Sequence, residues 1–339
     1  MIAGLSLAAR SEYCMPKTTL IPLLADGEFH SGQEFADRLG ISRTAVWKQL
    51  KRLEELGLQL ESVRGRGYRI PGGMELLDAN AIRRQLAPGS LPLLEALLIE
   101  PVIDSTNAEA LRRIQSGQRH GIVCTAEQQT AGRGRRGRQW VSPFGRNLYV
   151  SLVWEFARGA SALEGLSLAT GVAVARALAD CGLPAVQLKW PNDVLFSGAK
   201  LGGILLEMTG DAAGVCQVVI GIGINVSMPG NSARDIDQSW TDLATINGGA
   251  SPGRNRVLAA LLSELLPMVA AYERSGFQAW REAWMALDAY ANTPVVLVSG
   301  DRRKAGTARG VDERGALQLE TTLGSESIYG GELSLRPAS

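Results

Sequence analysis

Apolar residues recur at helical spacing near the start of the chain and predict two short helices joined by a tight turn. Residues 31–34 read Ser-Gly-Gln-Glu, which has the form of a capping box, and the apolar Phe35 and Leu39 follow four positions apart. After the turn, Ser42 is an N-cap candidate for a second helix over residues 43–56, which a glycine ends. The pattern therefore predicts two helices that meet at a turn.

The second of these helices has one apolar face and one basic, polar face. Its apolar stripe, which requires burial, consists of Val46, Leu50 and Leu53. The opposite face carries the candidate DNA contacts Arg43, Thr44, Trp47, Lys48 and Lys51. A short turn between two helices, the second of them basic on its outer side, is typical of the helix-turn-helix that enters a DNA major groove.

The pattern then changes from helical to alternating spacing. Apolar residues alternate with polar ones over residues 58–60 and 68–70, on either side of the basic run Arg-Gly-Arg-Gly at 64–67. This is typical of a hairpin, and Arg64 and Arg66 near its tip are candidate contacts to DNA phosphates. We therefore expect a winged helix-turn-helix, and the alternative is a small helical protein-interaction module with a solvated charged face.

Glycine and proline at residues 71–73 predict a domain boundary, so the DNA-binding domain is expected to span residues 15–73. Residues 1–14 are mildly apolar but lack a basic start, which argues against a signal peptide. We expect them to be a disordered extension, with Met15 as a candidate for the true start.

Strand-like and helix-like runs alternate over residues 74–287, which we expect to form one catalytic domain. The runs that resemble strands are residues 122–125, 148–154, 186–190, 204–208 and 218–222. The runs that resemble helices are residues 162–181 and 255–274. This order predicts a mixed or mostly antiparallel sheet flanked by helices. Short strands split by turns fill residues 288–339 and predict a small barrel.

Composition narrows the class of protein. The chain of 339 residues is 45% apolar and 20% charged with a net charge of +1, so any contact with nucleic acid must be local. Its four cysteines are far apart and it has two histidines, which makes a zinc site improbable. No apolar run is long enough for a membrane span. A protein of a reducing compartment, without membrane contact, is expected.

The arginine loop, residues 132–140, is the most informative segment for function. It holds four arginines and three glycines within nine residues. Glycine allows the backbone to lie close to a ligand, and guanidinium groups bind phosphate and carboxylate oxygens through paired hydrogen bonds. A loop that folds over an anion needs both. The alternatives for the loop taken alone are a solvated basic surface or a nucleic-acid contact.

Several polar segments lie at strand ends and favour a ligand site, namely residues 104–107, Gln129, residues 189–193, residues 200–207 and residues 221–225. They supply cations and glycine-rich strands that could form the floor of a cavity. These segments contain neither the GxGxxG dinucleotide motif nor the GxxxxGK(S/T) phosphate loop. No serine or cysteine has a histidine base suggested nearby. The pattern suits electrostatic stabilisation, as in activation of a carboxylate by ATP.

Six segments together resemble those of the bacterial biotin–protein ligases: GRGRRGRQW at 132–140, SPFGRNLY at 142–149, KWPNDV at 189–194, KLGGILLE at 200–207, GIGIN at 221–225 and GGELSLR at 330–336. The added winged helix-turn-helix makes the chain similar to the bifunctional members that also repress the biotin operon. The resemblance implies an α+β multidomain protein with a class II synthetase-like catalytic domain and a C-terminal SH3-like barrel.

The resemblance also implies a reaction and its partners. The family joins biotin and ATP, with Mg²⁺, to form biotinyl-5′-AMP, and a lysine of the biotin carboxyl carrier protein of acetyl-CoA carboxylase then accepts biotin. With the adenylate as corepressor, a homodimer binds the operator DNA of biotin biosynthesis genes in the cytoplasm. Two alternatives stay open, a biotinyl-AMP-sensing regulator without ligase activity and a lipoate–protein ligase.

Roles for individual residues follow from the resemblance. The residues that resemble biotin contacts are Ser105, Thr106, Asn107 and Gln129. Those that resemble the loop and its phosphate contacts are Arg133, Gly134, Arg135 and Arg138, with Gly203 in the glycine-rich strand. Expected catalytic residues are Arg135, Lys200, Lys189 and Asp193. Those expected to position the adenylate and Mg²⁺ are Asn192, Asp193 and Asn225, and Trp240 is expected to pack on the adenine. Glu332 and Arg336 are further contact candidates.

Overall fold

The computed structural model describes residues 20–159, 163–211, 213–230, 236–299, 302–330 and 333–337. The expectations for residues 1–14, for a start at Met15 and for Glu332 lie outside the described residues.

The N-terminal part begins with the elements α1 (Ile21–Leu24), α2 (Gly32–Leu39), α3 (Arg43–Glu55), β1 (Glu61–Val63) and β2 (Gly67–Arg69). The two predicted N-caps are confirmed, because the Oγ atoms of Ser31 and Ser42 accept from the backbone N–H groups of Glu34 at 3.0 Å and Ala45 at 3.2 Å. The Glu34 carboxylate, which a full capping box would direct to the N-cap backbone, instead lies 2.8 Å from Nδ1 of His30. The apolar stripe of α3 is buried as predicted.

The hairpin that was predicted after α3 is also confirmed, with β1 and β2 antiparallel. Its first strand begins at Glu61 rather than at residue 58, because the backbone N–H of Leu58 still donates to Leu53 in the turn that ends α3. The second strand is tied to the loop before α2, where His30 and Tyr68 exchange backbone hydrogen bonds of 3.0 and 2.9 Å. The wing is therefore attached to the body of the helix-turn-helix.

The central part comprises helices and one seven-stranded sheet. Its helices are α4 (Ala79–Gln85), α5 (Thr106–Gln115), α6 (Leu166–Asp180), α7 (Leu243–Ile246), α8 (Arg254–Ser275) and α9 (Gln278–Leu287). Its strands are β3 (Ala96–Ile103), β4 (Ile122–Gln129), β5 (Leu148–Phe156), β6 (Gln187–Lys189), β7 (Asp193–Phe196), β8 (Ala199–Gly210) and β9 (Cys216–Ile224). The sheet order is β3-β4-β5-β9-β8-β7-β6.

The sheet is mixed, as the sequence predicted, because β3 and β4 run parallel and the other neighbours are antiparallel. Helices α6 and α8 supply most of the apolar cover on one face. The predicted helix over 162–181 starts late, at Leu166. Gly165 precedes it with a φ of 70°, and a Cβ there would lie 2.4 Å from the ring of Phe277, so the chain turns there before the helix can begin.

The C-terminal part is an antiparallel sheet. Its strands are β10 (Pro294–Ser299), β11 (Arg302–Val311), β12 (Leu317–Thr321), β13 (Gly324–Ile328) and β14 (Ser334–Pro337), in the order β13-β12-β11-β10-β14. The sequence did not predict β13, because its Gly-Ser-Glu-Ser-Ile run has one apolar side chain and no alternation. Among the described residues, no helix combines the length and the apolar character that crossing a membrane requires.

The three parts are joined through buried contacts. Phe144 of the central part is 2% exposed and belongs to the same apolar cluster as Leu50 of the helix-turn-helix. Beside it, Glu127 and Arg254 form a buried ion pair of 2.7 Å, and Glu127 also accepts from the backbone N–H of Leu77 at 2.7 Å. The segment around Leu77, which leads from the helix-turn-helix into the central part, is thereby fixed to the central sheet.

Candidate functional site

A cavity lies beside the central sheet and collects most of the predicted ligand residues. Those that line it are Ser105, Thr106, Asn107, Gln129, Arg133, Gly134, Arg135, Arg138, Lys189, Asn192, Asp193, Lys200 and Gly203. Asn225 and Trp240 line an adjoining groove instead, which Lys200, Arg138 and Gln129 share. Lys200 and Trp240 are paired through a backbone bridge, so the two spaces meet at that lysine.

One end of the cavity is polar and closely hydrogen-bonded. Thr106 donates from its backbone N–H at 2.9 Å and from Oγ1 at 3.2 Å to Oε1 of Gln129. Ser105 is the N-cap residue of helix α5, but within the described residues its hydroxyl makes no cap hydrogen bond. Its backbone N–H donates to Oδ1 of Asp104 at 2.7 Å. Ser105 therefore lines the cavity with its side chain uncommitted to the helix.

The other end of the cavity is cationic. Asp193 accepts from Lys200 at 2.7 Å and lies 3.4 Å from Lys189. Burial alone would raise the pKa of the Asp193 carboxyl, but the two ammonium groups outweigh it and hold this pKa below its ordinary value. The Nη1 group of Arg135 donates to Oδ1 of Asn192 at 2.8 Å. The β6–β7 hairpin thus gathers the charged groups, and its turn contains a cis bond between Trp190 and the following proline.

Burial lowers the pKa of Arg135, whose guanidinium is largely shielded from water. Arginine titrates so far above neutral pH that the group stays charged. A second amino group of Arg135 lies 3.4 Å from the carbonyl oxygen of Leu333 in the C-terminal part. The arginine loop, the hairpin and the C-terminal sheet therefore meet at this one side chain.

Glycines allow two strands to form the floor of the cavity. A Cβ atom on Gly221 would lie 2.2 Å from Oδ1 of Asn107, and one on Gly223 would lie 2.6 Å from the indole of Trp140. Gly203 lies beside the same indole, 3.4 Å away from it by the same measure. Asn107 and Trp140 occupy the space that a side chain at these glycine positions would need, which explains the glycines in both strand segments.

Sequence reasoning missed three residues that help to build the site. Trp140 packs on the glycine floor, with Lys200 5.6 Å from its ring centre and its Nε1 buried without a hydrogen-bond partner among the described residues. Ser151 and Glu207 hydrogen-bond to Asn107. The available signals were an aromatic residue at the end of the arginine loop and isolated polar residues within apolar strands.

The predicted DNA-contact residues are all exposed. On α3, Trp47 is 56% exposed, and Nζ of Lys51 lies 5.3 Å from the centre of its ring. On the wing, the guanidinium of Arg66 stacks 4.1 Å from the ring centre of Phe29, and that of Arg69 lies 4.5 Å from the same ring. Exposed cationic residues therefore lie on both the helix and the wing, as a phosphate-binding surface requires.

His30, which anchors the wing through its backbone, is buried between two carboxylates. Its Nδ1 lies 2.8 Å from Glu34 and its Nε2 2.9 Å from Asp26, while Arg38 pairs with Glu34 at 3.2 Å. Burial lowers the pKa of His30, but the hydrogen bonds to both carboxylates outweigh it and raise this pKa above its ordinary value near 6.5. Both ring nitrogens donate, so the ring is held as an imidazolium.

We expect this imidazolium to make stability depend on pH. Because its folded-state pKa is raised, the stabilisation is complete below about 6.5 and is lost as pH rises through the folded value. Thermal unfolding followed from pH 6 to pH 9 should show a melting temperature that falls with pH, and His30→Gln should flatten this fall. His120→Gln, at an exposed position, is the control. An unchanged slope in His30→Gln would refute the assignment.

The fold and the site define a helix-turn-helix protein with an anion-binding domain of ligase type, and the family models agree. The biotin/lipoate A/B protein ligase family matches residues 99–225, an HTH domain matches residues 17–69, and the biotin protein ligase C terminal domain matches residues 292–336.

Relatives and solved structures give the same result. The chain is 43% identical to the bifunctional ligase/repressor BirA of Salmonella typhimurium, over 94% of this chain and 97% of that protein. It is 32% identical to the protein of the same name in Bacillus subtilis, over 92% and 95% of the two chains. The biotin protein ligase of Aquifex aeolicus, solved with biotin and ATP, superposes with a TM-score of 0.62 at 29% identity, covering 72% of this chain and 100% of that one. This chain belongs to the biotin/lipoate A/B protein ligase family.

Proposed function

We propose that this protein is an ATP-dependent biotin–protein ligase that also represses transcription. It forms biotinyl-5′-AMP and transfers biotin to a lysine of the biotin carboxyl carrier protein of acetyl-CoA carboxylase. One observation carries the proposal: a single cavity joins a hydrogen-bonding end at Thr106 and Gln129 to a cationic end at Arg135 and Lys200. Such a cavity accommodates an elongated molecule with a polar ring at one end and a carboxylate at the other.

In the first step a carboxylate oxygen of biotin attacks the α-phosphorus of ATP. The bond from that phosphorus to the bridging oxygen breaks, and pyrophosphate leaves. Two anions must approach each other, so the step depends on cations that offset their repulsion. Arg135, Lys189 and Lys200 supply this charge, and we expect Lys200, at the junction with the Trp240 groove, to contact the new linkage.

In the second step the amine nitrogen of the acceptor lysine attacks the carbonyl carbon of the mixed anhydride, loses a proton, and AMP leaves. The lowered pKa of Asp193 makes its carboxylate a weak base. We therefore assign Asp193 to holding the two lysines in position rather than to deprotonating the amine.

Magnesium fits this site as a companion of ATP. Asp193 is the one acidic residue among the described residues that line the cavity, and its carboxylate already pairs with two lysines. Mg²⁺ is commonly held by substrate phosphates with few protein ligands, and it would supply further positive charge to them. The protein's own cations provide the rest of the charge.

The repressor role rests on the exposed basic residues of α3 and the wing. We propose that a homodimer binds operator DNA of biotin biosynthesis genes with biotinyl-5′-AMP as corepressor, because helix-turn-helix proteins read two half-sites through two-fold symmetry.

Replacing Arg66 by alanine should weaken binding to DNA of any sequence, because the wing is expected to contact phosphate. The slope of log affinity against log salt concentration should decrease by about one. Titration of random-sequence duplexes at several salt concentrations measures it. Arg303→Ala, an exposed arginine of the C-terminal sheet, is the control. A slope equal to that of the wild type would remove the wing from the DNA interface.

Finer features of the architecture complete the proposal. We infer a class II synthetase-like catalytic domain over residues 74–287, preceded by the DNA-binding domain at 15–73 and followed by an SH3-like barrel at 288–339. The antiparallel order of β10 to β14 supports the barrel. Three free, buried cysteines (Cys124, Cys181 and Cys216) support a reducing, cytoplasmic location.

Transfer of labelled biotin to purified carrier domain, with ATP and Mg²⁺, tests the proposed function. We expect label on the acceptor lysine with biotin and none with lipoate. Adenylate formation without transfer would favour a sensor of biotinyl-AMP, and transfer of lipoate instead would favour a lipoate ligase.

A further inference from the structure

A chain of hydrogen bonds crosses the polar end of the cavity from strand to strand. Nε2 of Gln129 donates to Oγ of Ser142 at 3.1 Å, and Oε1 of Gln129 accepts from the backbone N–H of Thr106 at 2.9 Å, which leaves the hydroxyl proton of Thr106 for Ser151. Oγ of Ser151 then lies 2.8 Å from Oγ1 of Thr106 and 2.6 Å from Oδ1 of Asn107. Four elements of the site are thereby linked without a break.

Glu207 extends this chain to the arginine loop. Its Oε2 accepts from Nδ2 of Asn107 at 2.6 Å, and its Oε1 lies 3.2 Å from Nη1 of Arg133. One carboxylate oxygen of Glu207 therefore contacts Asn107, which lines the cavity, and the other contacts Arg133 of the arginine loop. Since Ser142 lies two residues beyond the loop, the chain of hydrogen bonds is attached near both ends of this cavity-lining segment.

The carboxylate also fixes the amide of Asn107. A carboxylate accepts only, so the NH₂ group of the amide must face Glu207 and its oxygen must face Ser151. Gly221 leaves room for this arrangement, because a Cβ there would lie 2.2 Å from Oδ1 of Asn107. A ligand at the polar end thus meets an amide of one fixed orientation.

We propose that Glu207 is a positioning residue that couples occupation of the polar end of the cavity to the placement of Arg133 and the arginine loop. The proposal rests on the proposed function, in which the ring of biotin occupies that end. A ligand that packs against the amide of Asn107 stabilises the position of the Glu207 carboxylate. The same carboxylate holds Arg133 of the arginine loop. By linkage, a loop held by Glu207 also binds biotin more tightly.

Glu207→Gln tests the coupling in the full-length protein. Glutamine has the same shape, but its one oxygen cannot accept from both Asn107 and Arg133 while its NH₂ group faces a second donor. We expect KM for biotin in pyrophosphate release to rise roughly 10-fold, as loss of a charge-assisted hydrogen bond implies. We expect kcat at saturating biotin to change less than about threefold, because cations at the other end of the cavity act on the phosphates.

Trypsin gives a second readout, because the arginine loop is rich in cleavage sites. In the wild type, biotin alone should slow cleavage within the loop. In Glu207→Gln this protection should disappear although biotin is saturating. Arg133→Met should lose the protection to the same extent, and KM for biotin in the double variant should be no higher than in Arg133→Met if Glu207 acts through Arg133.

Glu155→Gln is the matched control. The Glu155 carboxylate on β5 also accepts from one amide, that of Gln217 at 2.8 Å, and from one arginine, Arg119 at 3.1 Å, but these two partners do not line the cavity, whereas Asn107 and Arg133 do. Its KM for biotin and its loop protection should equal those of the wild type. The melting temperature of each variant verifies folding.

The proposal is overturned if Glu207→Gln keeps the wild-type KM and the biotin-dependent protection, or if Arg133→Met keeps that protection. A wild-type protein that releases no pyrophosphate with biotin would instead remove the proposed function. The two failures are therefore distinguishable within one set of assays.

Discussion

Arg135→Ala is expected to lower kcat/KM for biotin-dependent pyrophosphate release by roughly 100- to 1,000-fold, the usual cost of removing one preorganised charge donor from an active site. The guanidinium of Arg135 is held between Asn192 of the β6–β7 hairpin and the carbonyl of Leu333. It stays charged in a shielded position, where its effect on a developing phosphate charge is large. Steady-state assays with coupled pyrophosphate detection measure the loss.

Arg309→Ala is the control, since Arg309 is an exposed arginine of the C-terminal sheet in an ion pair with Glu320. It should keep wild-type activity. Arg135→Lys should recover a minor part of the loss, because lysine keeps the charge but not the planar, paired donors. Activity of Arg135→Ala within threefold of the wild type would show that the charge for the reaction comes from elsewhere in the cavity.

Gly221→Ala should lower kcat/KM for biotin by about 100-fold, through misplacement of a contact residue. The added methyl group would lie 2.2 Å from Oδ1 of Asn107, so the amide must leave its position between Ser151 and Glu207. Biotin binding measured by calorimetry should weaken in parallel, because the displaced amide lies at the end of the cavity where we propose that the ring of biotin binds.

Gly89→Ala provides the comparison, because a Cβ at Gly89 meets no atom within 4 Å and its φ is not positive. That variant should bind biotin like the wild type. Wild-type biotin affinity in Gly221→Ala would contradict the placement of biotin against Asn107.

Local patterns were sufficient to predict much of the fold. The caps at Ser31 and Ser42 depend on side chains three residues from their partners, so the sequence shows both donor and acceptor. Five strands of the central sheet, β4, β5, β6, β8 and β9, were predicted from apolar runs bounded by turn residues, whereas β3 and β7 were not predicted. Strand β13 could not be predicted this way, because its pairing with β12 rather than its apolar content determines it.

The site was predicted only in part, because only its local patterns of residue type are visible in the sequence. The arginine loop and the lysines stand out by residue type, and the structure brings them to one cavity. Trp140, Ser151 and Glu207 could not be predicted, because their roles arise from contacts between segments far apart in the chain. Asn107 and Glu207, for example, are separated by 100 residues and meet only when α5 packs near β8. The position of Trp240 in an adjoining groove likewise depends on its bridge to Lys200.

Biotin-dependent release of pyrophosphate from ATP and Mg²⁺ by the full-length wild-type chain decides whether this protein activates biotin, with lipoate as the comparison substrate. We expect rapid release with biotin and only background release with lipoate or without an acid. Folded protein that releases no pyrophosphate with biotin would contradict this expectation. The cavity would then belong to a sensor of the adenylate or, if lipoate were turned over, to a lipoate ligase.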